Sequence, residues 1–512
     1  VSLGRTLAVA LVGLHGHLIE VEAHLASALP AFVLVGLPDA SLSEARDRVR
    51  AAVGSSGLTW PNRRITVNLS PAALPKAGPA FDLAVAVAVL AAAEHLPAER
   101  VAGTVHLGEL GLDGRLHPVR GVLPAVAAAV AAGRPDVVVP EADIAEAALV
   151  PGARVTGCRS LAEVARRHGA DLRRPRVEVA AVPVVRGAGI SVPRTAVGDL
   201  SDVRGQHDAR TALEVAAAGG HHLLLIGPPG TGKTMLAARL PGLLPDLTEE
   251  EAVEVTTVHS VAGTFDPGGG LLRRPPFEDP HHTATPASIV GGGSGVPRPG
   301  AASRAHRGVL LMDEAPEFSA AVLQTLRQPL EHGELVIHRT AGVARFPARF
   351  QLVLAANPCP CGQAIGTGLR CTCTSLARRR YLGRLSGPLL DRVDVQVEVP
   401  PVRRSALDGP AESTAEVAAR VLAARHAQRD RWGDTGWVRN ADVPGRVLRD
   451  RLRAGPGLLA EVDAGIDHGL LTLRGADRVL RVAWTLADLA GRDAPGRVDI
   501  GRALLLRTRG QA

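Results

Sequence analysis

Short runs of branched aliphatic residues alternate with longer Ala- and Leu-rich stretches along the first third of the chain. Thr6–Leu14, Phe32–Val35, Ile65–Leu69 and Val137–Val139 have the length and Val/Ile/Leu content of strands, whereas Leu42–Val53, Leu83–Ala93 and Val122–Ala132 read as helices. The alternation predicts an α/β domain over residues 1–172. Residues 173–197 then carry Pro, Arg and Gly without sustained periodicity, which predicts a linker. A second α/β region, 198–401, is expected from three apolar strands: His222–Ile226, Val309–Met312 and Phe350–Ala356. Between the last two, Glu331-His332-Gly333-Glu334 followed by Leu335–Arg339 and Val343–Phe346 reads as a hairpin. Residues 402–512 show only helical patterns, at Ser413–Arg431, Gly445–Arg453 and Gly475–Ala490, so a C-terminal helical lid is expected. No internal repeat is visible.

A chain of 512 residues is long enough for several cores, at about 100–200 residues per domain. The longest apolar stretches, Leu83–Ala93 and Val122–Ala132, are too short to span a bilayer. The N-terminus lacks the ordered basic, apolar and small-residue regions of an export signal. Five cysteines, four of them clustered, do not make a secreted disulfide framework. The reading is cytoplasmic, with no membrane partner. A net charge of +7 permits an anionic partner such as nucleic acid without requiring one. Of the 58 basic residues only Lys76 and Lys233 are not Arg. An ammonium is a compact point charge where a guanidinium is a broad fork, so these two positions point to special roles.

Lys233 stands in Gly227-Pro228-Pro229-Gly230-Thr231-Gly232-Lys233-Thr234, between an apolar strand and the helical stretch Met235–Leu240. The glycines let backbone amides close around phosphates at a helix N-terminus, Lys233 reaches the β and γ phosphates, and Thr234 offers a hydroxyl to Mg²⁺. The strand Val309–Met312 ends in Asp313 and Glu314, one placed for Mg²⁺ and the other to orient or deprotonate the attacking water. Together these imply ATP hydrolysis with Mg²⁺. Asn357, after the third strand, is placed to orient water or sense the γ-phosphate. Arg392, in Gly387–Asp394, is either an Arg that completes a neighbouring subunit's site or a local ion-pair partner of Asp391 or Asp394. Cys359, Cys361, Cys371 and Cys373 suit a structural Zn²⁺ or are plain reduced thiols; Cys158 stands apart as a small core residue. Arg370, Arg378, Arg379, Arg380 and Arg384 form a run that fits DNA contact or a solvated face. Phe277–Gly300, with His281, His282 and Gly291–Gly293, reads as an inserted loop that touches polymer or nucleotide.

Three segments carry a resemblance: Arg298-Pro299-Gly300 ahead of Leu311-Met312-Asp313-Glu314, Asn357-Pro358-Cys359-Pro360-Cys361-Gly362, and Leu385–Arg392. With them the chain closely resembles, nearly end to end, the ComM/YifB family of magnesium-chelatase-like AAA+ ATPases. The resemblance implies an AAA+ P-loop core, a homo-hexameric ring, single-stranded or branched DNA as partner, and a branch-migration helicase acting in natural transformation. It further implies that Asn357 is the first sensor, Arg392 the trans Arg finger, and Arg474 or Arg478 the second sensor. Val1 matches the start position expected for the family. The first domain is similar to the Lon-protease (ribosomal S5 domain 2-type) fold, but in Pro75–Asp82 Ala80 stands in place of the serine, and Leu123 in place of the lysine. Without nucleophile and base no acyl-enzyme forms, so this domain is expected to be catalytically dead. Lys76 is assigned a backbone or DNA phosphate contact. The alternative function is a chelatase-like motor that remodels a protein partner or inserts a metal.

Overall fold

The computed structural model describes residues 2–36, 44–76, 78–172, 198–293, 297–339, 342–364, 370–385, 387–402, 411–452 and 457–508. The expected linker, 173–197, lies outside them, as do Leu42, Ser43, Ala77, Ser386 and Arg453 within other expected segments. The apolar runs pair into two separate sheets. In the first, seven strands lie in the order Ala31–Val35, Arg64–Ser70, His15–Ala26, Ser2–Val12, Val105–His106, Asp136–Pro140, Arg154–Cys158. The expected strand at Thr6–Leu14 is one arm of an antiparallel hairpin that turns at Gly13. Helix Asp82–Ala92 is buried along its whole length beneath this sheet, which is why its sequence is apolar all round. The expected helix at Leu42–Val53 is observed as Ala45–Ser55, and Val122–Ala132 as Val122–Ala131.

The second sheet is fully parallel, in the order Phe277–Glu278, Val309–Met312, Gln351–Ala356, Leu223–Ile226, Val395–Glu398. Successive side chains of a strand face opposite sides. Accordingly Leu311, Val353, Ala355, Leu223 and Leu225 join the core with helices His207–Gly219 and Lys233–Leu243, while Leu310, Met312, Leu352, Leu354 and Leu224 pack with Ile289, Phe318 and Val322. Burial of both faces suits a parallel sheet. Phe277–Glu278, read from sequence as the start of an inserted loop, is the edge strand of this sheet; two residues are too few to show a strand pattern. The hairpin is present as Glu334–Arg339 paired with Gly342–Pro347.

The described residues after 411 are helical, as expected: Thr414–Trp432, Gly445–Leu452, Ala460–Asp467, Leu473–Leu489 and Arg497–Thr508, the third and last of which the sequence reading missed. Ser413 and Glu416 form a capping box on the first. Trp432, fully buried, donates its indole N–H to Asn440 Oδ1 at 2.9 Å and meets Trp484 edge-on. No helix among the described residues is long and apolar enough to cross a membrane.

The two sheet regions touch. Buried Glu146 accepts hydrogen bonds from the Leu123 amide at 3.0 Å and from the Ser260 hydroxyl of helix Glu249–Ala262. Gly13 has φ 65°, and a Cβ there would lie 2.7 Å from the Arg345 carbonyl oxygen on the hairpin. Leu14 packs beside it on Ile337, Ala344 and Phe346. Lys76 is fully buried, its ammonium on the Pro71 carbonyl oxygen. Of the two contacts expected for Lys76, this is the backbone one. Burial lowers the pKa of Lys76.

Candidate functional site

Strand Leu223–Ile226 ends at Gly227, and the chain turns through Gly230 (φ 78°) and Gly232 (φ 89°) before helix Lys233–Leu243 begins. Those two angles favour glycine. Gly227 is glycine for another reason: a Cβ there would stand 2.3 Å from the Val399 carbonyl oxygen. The turn sets a helix N-terminus, with its unpaired amides, beside a cavity of about 370 Å³ lined by Lys233, Thr234, Asp313, Glu314 and Asn357. Asp313, Glu314 and Asn357 directly follow the carboxyl ends of adjacent parallel strands, and Lys233 and Thr234 open the helix after the third, at the end of the sheet where open α/β folds bind ligands.

Lys233 is buried, and its ammonium donates to the carbonyl oxygens of Gly227 (2.7 Å) and Pro228 (2.8 Å) and to Asn357 Oδ1 (3.1 Å). Burial lowers its pKa, opposed by the charges of Asp313 and Glu314. Thr234 Oγ1 donates to Asp313 Oδ2 at 2.7 Å. A hydroxyl and a carboxylate in mutual reach are the oxygen donors that a small hard cation takes. The Glu314 amide donates to the other Asp313 oxygen at 2.9 Å, and Glu314 itself sits at φ 51°, a left-handed conformation that a non-glycine residue seldom adopts.

The sequence reading named His282 in a loop expected to touch polymer or nucleotide but did not tie it to Glu314, and it missed Asp279. His282 Nδ1 lies 3.3 Å from Glu314 Oε2. Asp279, one residue beyond the edge strand, is exposed at its surface but closely surrounded by protein, and its carboxyl is pushed up to about 6, first by desolvation and then by the Asp313 carboxylate. The inserted segment therefore reaches the site through residues just past the edge strand. The sequence signal was His282 itself, but nothing local tied it to Glu314.

Arg392, expected to complete a neighbouring subunit's site or to pair locally, and Arg474 and Arg478, the sensor candidates, stand away from this cavity. Arg392 and Arg478 line a second cavity of about 680 Å³ with His222, Gly308, Gln351 and Asp394. These last four stand at the amino ends of the strands whose carboxyl ends form the first cavity. None of the described residues lining the first cavity comes from the C-terminal helices, so the expected lid does not cover it. Nor is Arg392 paired with Asp391 or Asp394, the local partners weighed from sequence. Its guanidinium contacts Glu331, and Asp394 instead holds Arg478 and accepts from the His222 amide. Arg474 is exposed on helix Leu473–Leu489. Burial lowers the pKa of Arg392, reinforced by Arg474, Arg478 and Arg327.

Cys359, Cys361, Cys371 and Cys373 gather so that their sulfurs all lie within 4.8 Å of one another. Three of the pairs measure 3.4, 3.7 and 3.7 Å. A tetrahedral ion bound at about 2.3 Å sets its sulfurs about 3.8 Å apart, so the donor set fits Zn²⁺. The cluster abuts the phosphate loop: Gly362 has φ 74°, and a Cβ there would stand 2.5 Å from Pro229 Cδ. Arg378, Arg379 and Arg380 lie on helix Ser375–Gly383, with Arg379 and Arg380 exposed, and Arg384 donates to the Pro316 carbonyl oxygen at 3.1 Å. Cys158 is buried in the first core, as expected, and burial pushes its thiol up to about 12.

Three family models match: subunit ChlI of Mg-chelatase over residues 21–143, magnesium chelatase, subunit ChlI over 199–407, and the ChlI C-terminal model over 411–507. An uncharacterized protein of Mycobacterium tuberculosis is 52% identical over 99% of both chains. Competence protein ComM of Haemophilus influenzae is 38% identical over 98% of this chain and 97% of its own, and YifB of Escherichia coli, itself uncharacterized, 40% over 97% and 96%. End-to-end likeness at this level, on a five-stranded parallel sheet that gathers the phosphate loop and its acidic partners at one end, shows that the chain belongs to the ComM/YifB family of magnesium-chelatase-like AAA+ ATPases.

Proposed function

We propose that this ATP-driven motor works on DNA as a ring of six copies, as a branch-migration helicase in DNA uptake or recombination. The observation that carries the reading is the division of the chemistry. Lys233, Thr234, Asp313, Glu314 and Asn357 ring one cavity, while Arg392 stands at the opposite end of the same sheet. From there it serves a nucleotide held by another copy, which makes a ring the working form.

In this reading the amides of the segment Gly227–Thr234 and the Lys233 ammonium hold the ATP phosphates. Thr234 and Asp313 hold Mg²⁺, which when bound supplies charge compensation to the phosphates. Glu314 accepts the proton of the attacking water, with His282 steadying its carboxylate, and Asn357 orients that water. Arg392 stabilises transition-state charge in the neighbour's site, and Arg478, with Arg474 beside it, senses the same phosphates in trans. The cysteine cluster holds a structural Zn²⁺. Residues 1–172 form a Lon-protease-like (ribosomal S5 domain 2-type) domain, inactive through Ala80 and Leu123, joined by 173–197 to a core at 198–401 and a helical domain at 402–512. The compartment is the cytoplasm.

DNA as the substrate is supported by the net charge of +7, by the exposed Arg379 and Arg380, and by the relative named a competence protein. A second reading, a motor that remodels a protein partner or inserts a metal, is favoured by the magnesium-chelatase description of all three matching models. Turnover measured with and without single-stranded and four-way-junction DNA separates the two. DNA is expected to raise hydrolysis, with Lys233→Ala inactive throughout. Turnover indifferent to every DNA would leave the second reading.

A further inference from the structure

Arg392 is engaged within its own subunit. Its guanidinium contacts Glu331 and the Pro388 carbonyl oxygen, and its side chain is only 13% exposed. The surrounding charges that bear on it are cationic: Arg474, Arg478 and Arg327. Of the two nearby carboxylates in sequence, Asp394 is taken by Arg478, and the ion pairs among the described residues do not join Asp391 to Arg392. Among the described residues, Glu331 is therefore the carboxylate that compensates Arg392. Its own side chain is 45% exposed. Because the Glu331 side of the pair is open to solvent, a nucleotide phosphate, with its greater charge, can compete for the guanidinium.

Glu331 also occupies a mechanical position. It lies in the last turn of helix Arg327–His332, and the hairpin strand Glu334–Arg339 starts three residues later. The join is stiff. Gly333, at φ 70°, donates its amide to the Pro329 carbonyl oxygen and accepts from the Ala348 amide, both at 2.8 Å, and a Cβ there would stand 2.6 Å from the Arg349 side chain. Glu334 pairs with Arg345 across the hairpin at 2.8 Å. A displacement of the hairpin is thus passed to Glu331 through a short, hydrogen-bonded connection. The other side of the hairpin leans on Gly13 and Leu14 of the first domain.

We infer that Glu331 is a positioning residue that restrains Arg392 inside its own subunit, and that load on the hairpin Glu334–Pro347 releases Arg392 toward the phosphate of a nucleotide bound by the neighbouring copy. The inference rests on the reading of Arg392 as an inter-subunit residue. ATP hydrolysis without polymer, by full-length protein at a concentration where sedimentation shows the ring, tests it on Glu331→Gln, Glu331→Asp and Arg392→Ala. Glu331→Gln is expected to raise kcat by about threefold, the scale on which a half-exposed ion pair shifts an equilibrium, with KM for ATP unchanged. Glu331→Asp, which keeps the charge, stays near the wild-type value, and Arg392→Ala is inactive. Glu331→Ser gives the same readout should the glutamine variant not fold. An inactive Arg392→Ala together with a neutral Glu331 variant whose kcat is no higher than wild type overturns the restraint alone. Retained hydrolysis in Arg392→Ala overturns the inter-subunit reading first, and the restraint with it.

Discussion

At the scale of single residues, the buried histidines give the molecule a defined acid limit. Thr6 Oγ1 donates to the Val101 carbonyl oxygen at 3.1 Å and lies 2.8 Å from His106 Nδ1, and His106 Nε2 lies 2.9 Å from His168 Nε2. His106 is fully buried, and its pKa is pushed down to about 3, first by burial and then by His168. In the unfolded chain it titrates near 6.5. Between those values the unfolded state binds the extra proton, so stability falls as pH falls through that window, by up to about 1.4 kcal/mol per pH unit for this residue. The melting temperature is expected to drop steadily from pH 7 to pH 5, with a shallower slope in His106→Gln than in wild type. Equal slopes in the two proteins would remove His106 as a cause. The same scale explains which site residues were legible. Gly227–Thr234 is one contiguous stretch whose chemistry is local, so its role shows in the sequence, whereas the Glu314–His282 contact joins residues brought together only by the fold.

At the scale of elements, long periodic segments were legible and very short ones were not. Helix Asp82–Ala92 and strand Gln351–Ala356 lie within a residue or so of the expected bounds because their apolar content is sustained. Phe277–Glu278 gains its strand character only from pairing with Val309 and Leu310, which a local pattern cannot show. The cysteine loop is an intermediate case. Its spacing was suggestive, and the fold adds that Gly362 leaves no room for a side chain against Pro229 of the phosphate loop. Metal there would brace the nucleotide site as well as its own loop. Elemental analysis is expected to find one zinc per chain, and Cys371→Ser is expected to lose it, with a lower melting temperature and weaker ATP binding. Metal-free wild-type protein that binds ATP normally would reduce the four cysteines to plain thiols.

At the scale of the whole molecule, one sheet carries two charged ends. The carboxyl end offers an ammonium and carboxylates around a cavity, and the amino end offers Arg392 and Arg478 around another. The C-terminal helices belong to the second end, which is why the helical domain could be foreseen from its pattern but its placement could not. In the ring proposed above, each end is half of a reaction centre and copies must associate for either to work. Mixing two inactive variants tests this most directly. Lys233→Ala keeps its arginines and Arg392→Ala keeps its phosphate loop, so interfaces that join the second protein's loop to the first protein's arginine are complete. Each variant alone is expected to be inactive, and the mixture to hydrolyse ATP above the sum of its parts. A mixture as inactive as its components, in assemblies shown to contain both variants, would contradict a site shared between subunits.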